Sequence, residues 1–171
     1  MRSYEERAKD FLKRVYPIIS QYLTDPFKVE DCMDKFNEKY NRDVVVCWGS
    51  ARVALITSDY VIKWEYDTEE VDSIGGFEDE LDLYEKAKKD GFAYLFAEIT
   101  PFEYKDFPFY IMPRIERMDN EYGDYDTAWD CMTREESDWC REHHLQDLHE
   151  GNFGERNGHI CIFDYGFVGR C

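Results

Sequence analysis

Between Asp43 and Asp67 the chain reads DVVVCWGSARVALITSDYVIKWEYD, and this stretch lacks the three-to-four spacing of apolar residues that flanks it. A β-branched run is punctuated by Gly49–Ser50 and resumes as ARVALI. It turns at Ser58–Asp59 and ends as YVIKWEY, the pattern of antiparallel strands joined by short turns. Helical spacing holds on both sides. Residues 4–23 form one amphipathic segment with Pro17 as a kink or break, and VEDCMDKFNEKY places Val29, Cys32, Met33 and Phe36 on one face. After the strands, GGFEDELDLYEKAKKDG predicts a helix with Phe77, Leu81 and Tyr84 on one face and Gly91 as its stop. FAYLFAEITPFEYKDFPFYIMPRIE then alternates enough for two or three strands around turns at Pro101 and Lys105–Asp106. The polar stretch MDNEYGDYD reads as a linker, and TREESDWCREHHL opens a helix with a Thr133–Glu136 capping box. The last segment, GHICIFDYGFVGRC, predicts a short strand or hairpin. This order of elements predicts an α+β fold, with sheet in the first part and helix in the second.

Composition bounds the function. A length of 171 residues suits one domain, with room for two lobes, and 43% hydrophobic and 17% aromatic residues supply a core despite 35% charged ones. The formal net charge of −17 excludes a non-specific binder of nucleic acid or of anionic membrane, because phosphate contact needs clustered Lys and Arg. No apolar run reaches the length of a membrane span and the N-terminus lacks the apolar stretch of a signal peptide, so a cytoplasmic location is expected. The six cysteines show no CxxC pairing and read as free thiols. Cys140, His143, His144 and His149 match no zinc-module spacing.

Reactive residue types concentrate late. His144–Gly154 reads HLQDLHEGNFG, a polar loop with Asp147 and Asn152 five residues apart, and Asp164 ends an apolar run as FDYG. An amide and a carboxylate converging from separate loops suit Mg²⁺, which takes much of its shell from water and phosphate. A further acid, free of metal, can accept a proton from a hydroxyl nucleophile. Upstream, alternation puts Lys63 on one strand face with Val61 and Glu65, where a lysine either reaches for solvent or meets an anion. The following helix carries Glu78, Asp79, Glu80, Asp82 and Glu85; most of these form a solvated face, and one can pair with Lys63.

Together these residues resemble the protein-kinase-like superfamily, in a minimal bacterial or phage-type form. WGSARVAL resembles its glycine-loop hairpin, VIK with Lys63 its strand lysine, ELDLY with Glu80 its helix glutamate, QDLHEGN its catalytic loop and FDYG its metal loop. The gaps from Lys63 through Glu80, Asp147 and Asn152 to Asp164 are 17, 67, 5 and 12 residues. The resemblance covers residues 44–168 and implies an antiparallel-sheet N-lobe over 44–117 and a C-lobe over 118–171, preceded by the helical segment 1–43, all in one domain. The chain ends five residues after Gly166, so a helical C-lobe reduced to the catalytic and metal loops is expected.

The resemblance further implies ATP and Mg²⁺ as ligands. Lys63 would contact the α/β-phosphates and be held by Glu80, with Gly49 and Ser50 covering the phosphates. Asn152 and Asp164 would bind Mg²⁺, and Asp147 would orient or deprotonate the acceptor. Tyr110–Glu116 would form the hinge, with Met112 and Arg114 beside the adenine. The acceptor, a protein Ser/Thr or a small molecule, is left open. Two other functions stay open: a pseudokinase-like nucleotide-binding or interaction module that serves a protein partner, and an acidic mimic that blocks a nucleic-acid enzyme.

Overall fold

The computed structural model describes residues 2–25, 28–40, 43–48, 52–66, 76–117, 128–145, 148–149 and 151–165. The architecture is α+β, and the chain divides into two compact units, 1–74 with 99–114 and 75–98 with 115–171.

In the first unit, helix α1 (Tyr4–Ile19) starts at a reciprocal cap. Ser3 Oγ accepts from the Glu6 N–H at 3.2 Å, and Glu6 Oε2 accepts from the Ser3 N–H at 3.0 Å. Ala8, Phe11, Leu12, Val15 and Ile19 form its buried stripe. Pro17 sits inside the last turn without breaking it, and the helix stops two residues later. Helix α2 (Val29–Tyr40) matches the predicted segment and buries Cys32 and Phe36.

Five antiparallel strands follow: β1 (Val45–Trp48), β2 (Arg52–Ile56), β3 (Tyr60–Glu65), β4 (Thr100–Tyr104) and β5 (Phe107–Pro113), in the spatial order β1-β2-β3-β5-β4. Both central residues of the β4–β5 turn have positive φ, 52° at Lys105 and 61° at Asp106, which matches the right-handed twist of the strands. Pro101 does not make a turn. It lies within β4 opposite Tyr110, and β4 is an edge strand, where a missing N–H is tolerated. Val53, Leu55, Ile62, Trp64, Phe109 and Ile111 join the buried residues of α1 and α2 in one core. Successive strand residues point to opposite sides, so Val61, Lys63 and Glu65 occupy the face turned away from the two helices.

In the second unit, helix α3 (Phe77–Asp90) ends at Gly91, whose φ of +86° closes the cap through its N–H to the Ala87 carbonyl. Its fully buried positions are Phe77, Glu80, Leu83 and Ala87. Leu81 and Tyr84, expected to face the core, are half-buried. The stretch after Gly91, expected as strand, forms a single 3₁₀ turn at Ala93–Leu95 and one isolated parallel bridge, Phe96 to Ile162. Helix α4 (Arg134–Glu142) carries the predicted Thr133–Glu136 capping box. Strands β6 (Glu116–Arg117), β7 (Phe153–Arg156) and β8 (His159–Ile162) form a three-stranded antiparallel sheet in that order. The β7–β8 turn is Asn157–Gly158, at φ 57° and 79°.

Aromatic side chains fill this unit. Trp139 of α4 stacks on His143, lies against Phe92 and Phe96, and donates its indole N–H to Asp90 at 2.9 Å. Tyr165 packs on Phe96 and donates to the Ala97 carbonyl at 2.8 Å, which ties the residue after Asp164 into the core.

Candidate functional site

The sequence places one set of candidates in each unit. In the first, Lys63 is the central residue of a cross-strand row, with Ala54 of β2 on one side and Tyr110 of β5 on the other. It is only 8% exposed. Lysine is rarely so buried unless its ammonium meets an opposing group. One row along the same face, about 7 Å away, Ile56, Val61 and Met112 lie side by side, an apolar strip next to the cation. The Arg52–Glu65 ion pair (3.4 Å) occupies the row on the other side.

The hinge candidates differ from each other. Met112 is buried within β5. Arg114 is exposed and turned toward the β2–β3 turn: its N–H donates to the Asp59 carbonyl at 3.1 Å and its Nη1 to the Thr57 carbonyl at 2.9 Å. Both donors thus serve the fold. Asp59 in turn pairs with Arg7 of α1. Gly49 and Ser50 lie outside the described residues.

In the second unit Glu80 sits on α3 with no solvent exposure at all. Burial, and after it the Glu80 carboxylate, pushes the Tyr165 phenol well above its ordinary range. Asn152 and Asp164 lie at one end of the β7–β8 hairpin. The ladder begins with Phe153 opposite Ile162, and one step beyond it the Phe163 N–H donates to the Asn152 carbonyl at 2.9 Å. Asn152 is buried and Asp164, the next residue after Phe163, is half-buried. The two residues therefore stand at the same end of one hairpin, although twelve residues separate them in sequence.

Asp147 itself lies outside the described residues, but its neighbours are anchored. Leu145 is buried and its N–H donates to the Cys140 carbonyl at 3.0 Å, while the buried Leu148 accepts from the Ala128 N–H at 2.8 Å. The Asn152 N–H donates to the His149 carbonyl at 2.9 Å. Among the described residues no three His, Cys, Asp or Glu side chains gather as a metal site. The Asn152–Asp164 pair is a different donor set: two oxygen-bearing side chains, the kind Mg²⁺ accepts when phosphate and water complete its shell.

Strand β7 had not been expected within the polar loop. The signal for it was Asn157–Gly158, the dipeptide of a two-residue hairpin turn. The Thr133–Glu136 capping box was expected, but the bond that Tyr94 adds to it was not. Glu136 accepts from the Tyr94 hydroxyl at 2.8 Å and from the Thr133 N–H at 2.7 Å. Burial works to raise the Glu136 carboxyl, but these hydrogen bonds prevail and hold it below its ordinary value of 4.5. The thiols of Cys140 and Cys161 are pushed up by burial to about 12 and about 11. No helix among the described residues is long and apolar enough to cross a membrane. No protein-family model matches the chain, and no curated protein matches it at a significant level.

Proposed function

We propose that the chain is an ATP- and Mg²⁺-dependent phosphotransferase with a minimal protein-kinase-like fold. The observation that supports this reading best is the Phe163 N–H to Asn152 carbonyl bond, which makes Asn152 the backbone partner of the residue just before Asp164. Support comes also from Lys63, a buried lysine beside an apolar strip formed by Ile56, Val61 and Met112. That face offers a flat ring an apolar surface and an anion a cation, the combination a nucleotide requires.

In this proposal Lys63 binds the phosphates, and the resemblance implies Glu80 as its counter-charge. Asn152 and Asp164 hold Mg²⁺, which when bound neutralises phosphate charge. The acceptor hydroxyl attacks the γ-phosphorus and a new P–O bond forms. The bond to the bridging oxygen breaks, ADP leaves, and the hydroxyl proton passes to Asp147. Both protein and small-molecule acceptors fit this chemistry.

Incubation with γ-labelled ATP, alone and with mixed protein and small-molecule acceptors, tests the proposal. Label should move to an acceptor or to water, and Asp147→Asn should abolish transfer while ATP binding stays near the wild-type level. Binding without any transfer would favour the non-catalytic nucleotide-binding module. Equal loss of binding in Asp147→Asn and Asp164→Ala would contradict these roles.

A further inference from the structure

Gly151 lies between the candidate catalytic and metal residues, and its backbone does not require glycine. Among the described glycines, positive φ occurs at Gly91 and Gly158. The constraint at Gly151 is steric. A Cβ there would stand 2.6 Å from His149 Cε1 and 2.9 Å from His149 Nδ1, closer than real Cβ atoms approach. The imidazole occupies that space because it is hydrogen-bonded there: the Gly151 N–H donates to His149 Nδ1 at 2.9 Å. A ring nitrogen that accepts carries no proton, so the neutral ring holds its hydrogen on Nε2.

The next amide is held by the same residue, since the Asn152 N–H donates to the His149 carbonyl at 2.9 Å. His149 thus fixes two consecutive amides, one through its side chain and one through its backbone. From Asn152 the chain of bonds continues through its carbonyl to the Phe163 N–H, directly before Asp164. The ring is the only part of this series that a side-chain substitution can remove without touching a candidate ligand.

We infer that His149 is a positioning residue: its Nδ1 clamps the Gly151 amide and so aims Asn152, with Asp164 beyond it, toward a divalent cation bound with nucleotide phosphates. This rests on the phosphotransferase reading for its ligand, while the clamp itself stands on the loop geometry. Histidine at 149 and glycine at 151 then form one unit, the ring acting as acceptor and the missing side chain making room for it.

The test compares the full chain with His149→Asn, His149→Leu, Gly151→Ala and the double variant His149→Leu/Gly151→Ala. His149 is exposed, so these replacements leave the core intact. An asparagine carbonyl can accept from the N–H two residues on, as in an Asx turn, and should rescue the clamp. Three readouts are taken: the His149 tautomer by nitrogen NMR, amide exchange at Gly151 and Asn152, and the Mg²⁺ concentration that half-saturates the ATP-induced rise in melting temperature.

The wild-type ring should show the Nε2–H tautomer. His149→Leu and Gly151→Ala should speed Gly151 exchange by about fivefold, the worth of one hydrogen bond. They should raise the half-saturating Mg²⁺ by about tenfold, as loss of a group that orients a metal ligand does. His149→Asn should stay within about twofold of wild type, and the double variant should be no worse than either single one, because both remove the same contact. An Nδ1–H tautomer, or a His149→Leu chain with wild-type exchange and Mg²⁺ dependence, would overturn the assignment. A wild-type chain that shows no Mg²⁺–ATP response defeats the phosphotransferase reading instead, and the tautomer and exchange still decide the clamp.

Discussion

Two glycines of the same small sheet should respond very differently to alanine. At Gly154, a Cβ would lie 1.9 Å from the Glu116 carbonyl oxygen, 2.8 Å from its carbon and 2.9 Å from Ile115 Cγ2. Ordinary contact begins near 3.4 Å, so β6 and β7 must separate by about 1.5 Å, and a backbone carbonyl cannot swing aside as a flexible side chain can. A displacement of that size breaks the N–H···O bonds of the short ladder in which Arg117 faces Gly154 and Glu116 faces Glu155. Losing one or two such bonds to solvent costs about 1 kcal/mol each, and overpacking adds about 1–3 kcal/mol, for about 3 kcal/mol in all. At about 2–4 °C per kcal/mol for a chain of this size, Gly154→Ala should melt about 6–12 °C below wild type.

Gly158 has nothing within 4 Å of a built Cβ, but its φ is +79°. Alanine there carries only the left-handed backbone penalty, about 1 kcal/mol, and should lower the melting temperature by about 2–4 °C. Scanning calorimetry with circular dichroism on both variants checks the order. A Gly154→Ala chain that melts within 2 °C of wild type, or above Gly158→Ala, would refute the close β6–β7 approach from which the magnitude is worked.

Other expectations are as specific. Lys63→Met should remove the ATP-induced thermal shift and also lower the melting point of the ligand-free chain, because it deprives the group opposing this buried ammonium of its counter-charge; a retained shift would argue against the phosphate role. Glu136 has its folded carboxyl held below 4.5, so its charged form stabilises the fold above the unfolded carboxyl's range, and that contribution is lost as pH falls through the lower folded value. The stability difference between wild type and Glu136→Gln should therefore be constant above about pH 5.5 and shrink below about 4.5, as denaturant melts across pH would record. Among the described cysteines, alkylation at neutral pH should reach the exposed Cys47 first and leave the buried Cys32, Cys140 and Cys161 intact until unfolding, which mass spectrometry of labelled peptides reads directly.

Much of the fold was legible where one local signal spoke for one element. The apolar spacing of VEDCMDKFNEKY gave a helix with the observed ends, Thr133 and Glu136 capped α4 as their spacing requires, and alternation put Lys63 on the face it occupies. Elements set by tertiary packing were harder. The face of α3 was misjudged because Glu80 is fully buried while Leu81 and Tyr84 are half-buried, and a hydrophobicity pattern never assigns a carboxylate to the core. Pro101 reads as a turn in isolation, and only its place on an edge strand explains why it continues β4.

The candidate site divides in the same way. Asn152 and Asp164 were identifiable as residue types, but their place at one hairpin end depends on the β7–β8 register, which Asn157–Gly158 encodes through the backbone of its turn. Arg114 was named for a hinge, and it gives both its amide and its guanidinium to the carbonyls of the β2–β3 turn, contacts that no local pattern announces. His149 was weighed in the sequence only as a zinc ligand, because its acceptor role depends on the missing side chain two residues later.

The most direct test of the phosphotransferase account is a thermal-shift titration with ATP, run with Mg²⁺ and with chelator, on wild type and Asp164→Ala. At ATP a hundredfold above its dissociation constant, mass action stabilises the folded chain by about 2.7 kcal/mol. The account predicts a clear rise in melting temperature for wild type with Mg²⁺, a much smaller rise with chelator, and little Mg²⁺ dependence in Asp164→Ala. No rise up to millimolar ATP, or an equal rise in both chains, would contradict it.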